Sequence, residues 1–93
     1  MVSMLTPRFQ FPQINDDIYH GTFNQIQHIR SEADEVLDAY IKREGEERMI
    51  EELWDVCWCV ETLLRRFPWR KVVKGFRYCI EKNRKRGYVT ARR

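Results

Sequence analysis

The sequence has no long apolar run, few breakers and few cysteines, and each shortage narrows what the chain can be. No stretch approaches the roughly 18 consecutive apolar residues of a membrane-spanning helix. With 4 glycines and 3 prolines in 93 residues, no low-complexity segment and no internal repeat is present, and no alternating pattern marks a strand. The first seven residues lack a basic n-region and an apolar h-region, so no secretory signal is visible. The 3 cysteines are an odd number without framework spacing. Cys57 and Cys59 stand two apart, which on a helix separates them by about 200° and stops them sharing a metal. Reduced thiols and a cytoplasmic location are the expectation.

What is present is a core for one small domain. Hydrophobic residues make up 43% and aromatics 13% of the chain, enough to exclude disorder. A chain this short buries a modest share of its surface, so association with further copies would help it. The formal net charge of +3 conceals a strong asymmetry. Residues 1–64 carry 5 Lys/Arg against 13 Asp/Glu, a balance of −8. Residues 65–93 carry 12 Lys/Arg against the single acid Glu81, a balance of +11. Such a split fits an acidic body with a nucleic-acid-binding end. It equally fits carboxylates for a metal facing cations for a phosphate.

Residues 1–21, with Pro7, Pro12, Gly21 and Asn15-Asp16-Asp17, read as an irregular lead with one helical turn near Asp17. Residues 22–88 read as a helical core and basic tail. Thr22 and Gln25 have the form of a capping box. From there Phe23, Ile26, Ile29, Ala33, Val36, Leu37, Tyr40 and Ile41 recur at helical spacing, and the helix should stop near Gly45. Glu46 and Glu47 suit the first turn of a second helix, whose stripe is Ile50, Leu53, Cys57, Val60 and Leu64. Phe67-Pro68 ends it, and Pro68 suits the first turn of a third. Val72, Val73, Phe76, Cys79 and Ile80 line the third, and Gly87 has the position of its C′ residue. The expectation is an all-α antiparallel bundle of about three main helices, completed by oligomerisation.

Two acidic pairs stand out. Glu32 and Glu35 on the first helix, and Glu52 and Asp55 on the second, are each spaced i, i+3 and so share a face. Glu52 and Asp55 lie roughly opposite Ile50 and Cys57, on a side that also holds Val56, Cys59 and Leu63. A helix apolar on both sides is buried on both sides, so these carboxylates should point inward, where charge is costly unless paired or bound to metal. A short turn at Gly45 makes the two helices antiparallel and can gather all four acids. Oxygen-only donors favour Mg²⁺, or Mn²⁺, over Zn²⁺. The plainer alternative is that the pairs are solvated faces or partners of Lys and Arg.

The third helix supplies a complement. Lys82 and Arg86 are i, i+4 with Asn83 between them, and they can hold phosphate oxygens, with Asn83 bonding a phosphate or orienting a ligand. The alternative is that a basic last turn merely complements the helix dipole. His28 and Gln25 lie one and two turns from Glu32 and can reach a base or sugar edge. Trp54 and Trp58 fit a core or a subunit interface better than a stacking platform. Glu61 is placed to pair with Arg65.

The sequence Glu32-Ala-Asp-Glu35, then 16 residues, then Glu52-Leu-Trp-Asp55 resembles the ExxE and ExxD signature of MazG-like all-α nucleoside triphosphate pyrophosphohydrolases. The segment Glu81-Lys-Asn-Arg-Lys-Arg-Gly-Tyr88 is similar to the tail following the third helix in short phage-type members. The resemblance spans about Thr22 to Tyr88. One departure is Ser31, where the family's first motif often has a glutamate. The resemblance implies cleavage of a nucleoside triphosphate between the α and β phosphates, with Mg²⁺ held by Glu32, Glu35, Glu52 and Asp55. Lys82 and Arg86 would stabilise the phosphates and Asn83 position them, with a cluster carboxylate or metal hydroxide as base. It also implies a homodimer or homotetramer. The five large apolar residues of the lead (Phe9, Phe11, Ile14, Ile18, Tyr19) suit a segment draped over a neighbouring subunit better than a loose terminus. For a phage protein the location would be the host cytoplasm. Two rivals remain: a helical nucleic-acid-binding module using the basic half, and a non-catalytic oligomeric helper that keeps the fold.

Overall fold

The computed structural model describes residues 7–14 and 20–88. Among them are three α-helices and no strand: α1 Thr22–Ile41, α2 Glu46–Leu64 and α3 Trp69–Lys85. The protein is all-α. No helix among the described residues is long and apolar enough to cross a membrane. The turn expected near Asp17, and Ile18 and Tyr19 of the lead, lie outside the described residues. Among the described residues two compact units are present, one of residues 10–14 and 20–66 and one joining residues 7–9 with 67–88.

In the first unit α1 follows Gly21, whose φ of 89° suits glycine. Thr22 already lies inside the helix and no side chain caps it, so the expected capping box does not form. Gln25 is drawn to a tertiary partner instead: its buried Oε1 accepts a hydrogen bond from Arg66 Nε at 2.8 Å. At the other end Arg43, with φ 54°, takes the left-handed position normally given to glycine. Its N–H bonds Tyr40 O at 3.1 Å and the Glu44 N–H bonds Ala39 O at 3.1 Å, the paired closure of a Schellman motif. Gly45 therefore does not end α1. It precedes α2 at φ 105°, and Glu46 and Glu47 occupy the first turn, where negative charge meets the positive end of the helix dipole.

The four-residue reversal makes α1 and α2 antiparallel, as the cross-pairs Glu32 with Glu52, His28 with Cys59 and Gln25 with Arg66 require. The broad apolar arcs expected to form the core do not form this seam. Phe23, at 71% exposure, and Ile26, Leu37, Tyr40 and Ile41 on α1 stay in the open, as do Ile50, Leu53 and Val60 on α2. The buried positions are Gln25 and Ala39 on α1 and Glu52 and Cys59 on α2, with His28, Glu32, Val36, Val56 and Leu63 half-buried. The reason is geometric. A helix with apolar residues on two sides can turn only one of them toward a single partner helix.

Residues 10–12 of the lead are held on α2 of the same chain. Glu61 accepts the Gln10 N–H at 2.9 and 3.1 Å and the Phe11 N–H at 3.1 Å. Trp58 Nε1 donates to Pro12 O and Arg65 Nη2 to Phe11 O, each at 2.9 Å. The Phe11 ring stacks on Trp58 at 5.3 Å and 14°, and tilts against Trp54 at 5.9 Å. Positions 54, 58, 61 and 65 share one face of α2, so a single face reads the lead. Glu61 and Arg65 both serve as anchors for it.

In the second unit Pro68 caps α3 from outside, and its carbonyl receives the N–H groups of Lys71 and Val72 at 2.9 and 3.1 Å. Gly87, at φ 80°, closes the helix as the spacing predicted: its N–H bonds Arg84 O and the Tyr88 N–H bonds Asn83 O. Val72 is buried and Val73 and Ile80 are half-buried, whereas Phe76 and Cys79 remain exposed. Phe9 packs edge-on against Trp69 at 5.0 Å.

Candidate metal centre

Midway along the α1–α2 seam, Glu32 meets Glu52 and Asp55, with one carboxylate oxygen from each within 4.8 Å of the others. The inward direction read for Glu52 and Asp55 holds for Glu52, which is only 2% exposed, and not for Asp55, which is exposed at the edge of the seam; Glu32 is half-buried. Glu35, the fourth acid, stands outside this group of three but close enough for its charge to act on Glu52.

Burial pushes the Glu52 carboxyl above its ordinary range. Arg48 opposes the rise, and Glu35 and Asp55 add to it. Arg48 Nη2 lies 2.5 Å from Glu52 Oε2. Glu52 Oε1 and Glu32 Oε1 are buried without a hydrogen-bond partner. Buried carboxylate oxygens seldom go unsatisfied, because the lost hydration is costly. A divalent cation would satisfy both. Neighbouring oxygens around one Mg²⁺ stand about 3.0 Å apart at a Mg–O distance of about 2.1 Å, so the three carboxylates would draw together to hold it.

His28 and Cys59 flank the group. His28 Nε2 is 3.3 Å from Glu32 Oε2, and Cys59 Sγ is 3.3 Å from His28 Nδ1. Burial, with Glu32, Asp55 and Glu35 adding, pushes the Cys59 thiol up to about 12. Without a metal it therefore stays a neutral thiol at physiological pH. The group brought together by geometry, Glu32, Glu52 and Asp55, offers hard oxygens suited to Mg²⁺ or Mn²⁺. Cys57 is exposed while Cys59 is buried, as their spacing required.

No protein-family model, curated protein or solved structure matches this chain. The carboxylate group must therefore be read on its own chemistry.

The other candidate residues are placed as follows. Gln25 is buried against Arg66 at one end of the seam, beside a cavity of about 130 Å³ lined by Gln13, Ile14, Gln25, Thr62, Arg65 and Arg66. His28 lies between that end and the carboxylates. On α3, Asn83 Nδ2 donates to its own helix at Cys79 O, 2.9 Å away. Lys82 is exposed in the last turn and exposed Arg86 is the C-cap. Sequence reasoning missed Arg48, although its i, i+4 relation to Glu52 was a readable signal. It placed Cys59 on the side of Glu52 without revealing the contact with His28.

Proposed function

We propose that the chain is a Mg²⁺-dependent nucleoside triphosphate pyrophosphohydrolase, converting an NTP or dNTP and water to the monophosphate and pyrophosphate. One observation carries the reading: Glu52, an almost fully buried carboxylate with one bare oxygen, faces Glu32 across the helix seam and has Asp55 beside it on α2. Those are three of the four acids of the ExxE and ExxD pattern. Glu32, Glu52 and Asp55 hold the cation, and Glu35 reinforces the negative field at Glu52. Bound there, Mg²⁺ would supply Lewis acidity and charge neutralisation to phosphate oxygens. Arg48 holds the second oxygen of Glu52 and so fixes the direction of the first. His28 braces Glu32 from the next turn and, with Gln25, is assigned to the base or sugar. The resemblance alone assigns Lys82, Asn83 and Arg86 to the phosphates.

The same reading covers the exposed apolar sides of α1 and α2 with a second copy of the chain, as a homodimer or a tetramer of dimers. Each Leu or Ile withdrawn from water contributes about 1.5–3 kcal/mol, a large sum over the eight exposed side chains named above. A nucleotide substrate also places the work in the cytoplasm, the host's for a phage protein.

The test is pyrophosphate release from a panel of NTPs and dNTPs, with Mg²⁺ and with EDTA, beside Glu52→Ala and Asp55→Ala. Release should need the metal and fall about 100-fold or more in either variant, the scale of losing a principal electrostatic group. Release indifferent to EDTA, or none from any nucleotide by the folded protein, overturns the proposal.

A further inference from the structure

We infer that α3 is a docking face for single-stranded nucleic acid, built, Lys82 apart, on residues that the proposed pyrophosphohydrolase does not use. Exposed Arg70, Lys71, Lys74, Lys82 and Lys85 lie on α3. At about 100° per residue they fall in one arc of roughly 120°, opposite Val72, Phe76 and Ile80. Tyr78 stands at the middle of that arc and is 69% exposed. The only acid of the helix, Glu81, is taken by Arg84 at 2.6 Å. From Arg70 to Lys85 the face runs about 22 Å, well beyond the reach of one triphosphate.

The helix carries the N-terminal charges of this face against its own stability. Arg70 and Lys71 sit in the first turn, where the dipole disfavours cations, and no acid is there to offset them. Arg70 and Lys74, Lys71 and Lys74, and Lys82 and Lys85 are like-charged neighbours at i, i+3 or i, i+4. A polyanion laid along the face removes both penalties. An exposed aromatic ring among cations is the arrangement that stacks an unpaired base while the flanking ammonium and guanidinium groups follow the backbone. An anionic membrane fits less well. A helix lying on a bilayer inserts its whole apolar side, and on α3 that side is already partly occupied: Val72 is buried and Val73 and Ile80 are half-buried, with Trp69 and Phe76 exposed.

The experiment is fluorescence anisotropy of labelled oligodeoxythymidine with the full chain, from about 50 to about 200 mM salt. It compares the parent, the combined Arg70→Gln, Lys74→Gln, Lys85→Gln variant, Tyr78→Ala and Asp55→Asn. The triple variant should lose tenfold or more in affinity at low salt. Its log–log salt slope should shrink by about 2, or about 0.7 per lost phosphate contact. Tyr78→Ala should weaken binding about fivefold or more at an unchanged slope. Asp55→Asn should bind like the parent, which keeps this result separate from the fate of the pyrophosphohydrolase reading. The triple variant should melt close to the parent, because relief of the first turn offsets the loss of Lys85 from the last. Absence of binding at low salt, full affinity in the triple variant, duplex bound as well as single strand regardless of Tyr78, or binding only to phosphatidylserine vesicles would each overturn the inference.

Discussion

Arg48 grips one oxygen of Glu52 and leaves the other bare: Nη2 stands 2.5 Å from Oε2, while buried Oε1 has no partner. A half-satisfied carboxylate in the seam of a small hairpin is a poor choice for stability. It is a good one for a site that must receive a cation.

Glu52→Gln keeps the shape and removes the charge. In EDTA at neutral pH the variant should melt above the parent, and Mg²⁺, which raises the parent's Tm, should leave it unmoved. The pH dependence has a definite sign. Folded Glu52 binds its proton more tightly than the ordinary value of 4.5 allows, so stability is greater at acid pH and falls as pH rises through the folded value. The gap between parent and variant should therefore close on acidification. Melts by circular dichroism across pH measure it, and a variant melting lower than the metal-free parent at neutral pH contradicts it.

Arg43 occupies a left-handed conformation, φ 54°, that suits glycine better. Arg43→Gly should stabilise the protein by about 0.5–1 kcal/mol. Urea unfolding should show a higher midpoint at an unchanged m-value.

Cys59 should resist alkylation. With its thiol at about 12 and its side chain buried, it presents almost no thiolate at mildly alkaline pH, whereas Cys57 and Cys79 are exposed. Mass spectrometry after iodoacetamide should find label on those two alone. The unfolded chain loses this proton near 9.0 and the folded chain near 12, so Cys59 lowers stability as pH climbs through that window.

Glu61→Gln should loosen the lead without disturbing the hairpin. Hydrogen bonds to a charged acceptor are worth about 1.5–3 kcal/mol, so exchange of the Gln10 and Phe11 amides should quicken roughly tenfold or more. Amides in the middle of α1 should keep their protection. Equal acceleration in both places would make Glu61 part of the global fold.

Leu53→Glu places a charge on the exposed apolar side of α2, away from the carboxylate group. If a second copy covers that side, light scattering should report monomer for the variant and dimer or larger for the parent. A monomeric parent removes the oligomer from the proposal.

Much of this was legible in the sequence. Periodicity located three helices, and the wheel turned Glu52 inward because Val56, Cys59 and Leu63 share its side. Which apolar arc would form the seam was not legible. Phe23, Leu37 and Tyr40 carry more hydrophobic surface than Gln25 and Ala39, yet the smaller residues are buried; composition ranks the faces, but a single partner helix chooses between them. Arg43 was hidden because a left-handed closure advertises itself through glycine, and the nearby Gly45 drew the assignment. Glu61 was hidden because its partners are main-chain N–H groups, which every residue but proline possesses.

That last contact reaches further. Glu61, Arg65 and Trp58 bond to N–H and C=O groups at positions 10 to 12, and among those positions only the Phe11 ring adds a ring contact of its own. The anchorage is written almost wholly in α2. Substitutions at Gln10 can accumulate without loosening the lead, and a segment of quite different sequence would be received in the same way, provided it brought one flat ring to lie on Trp58.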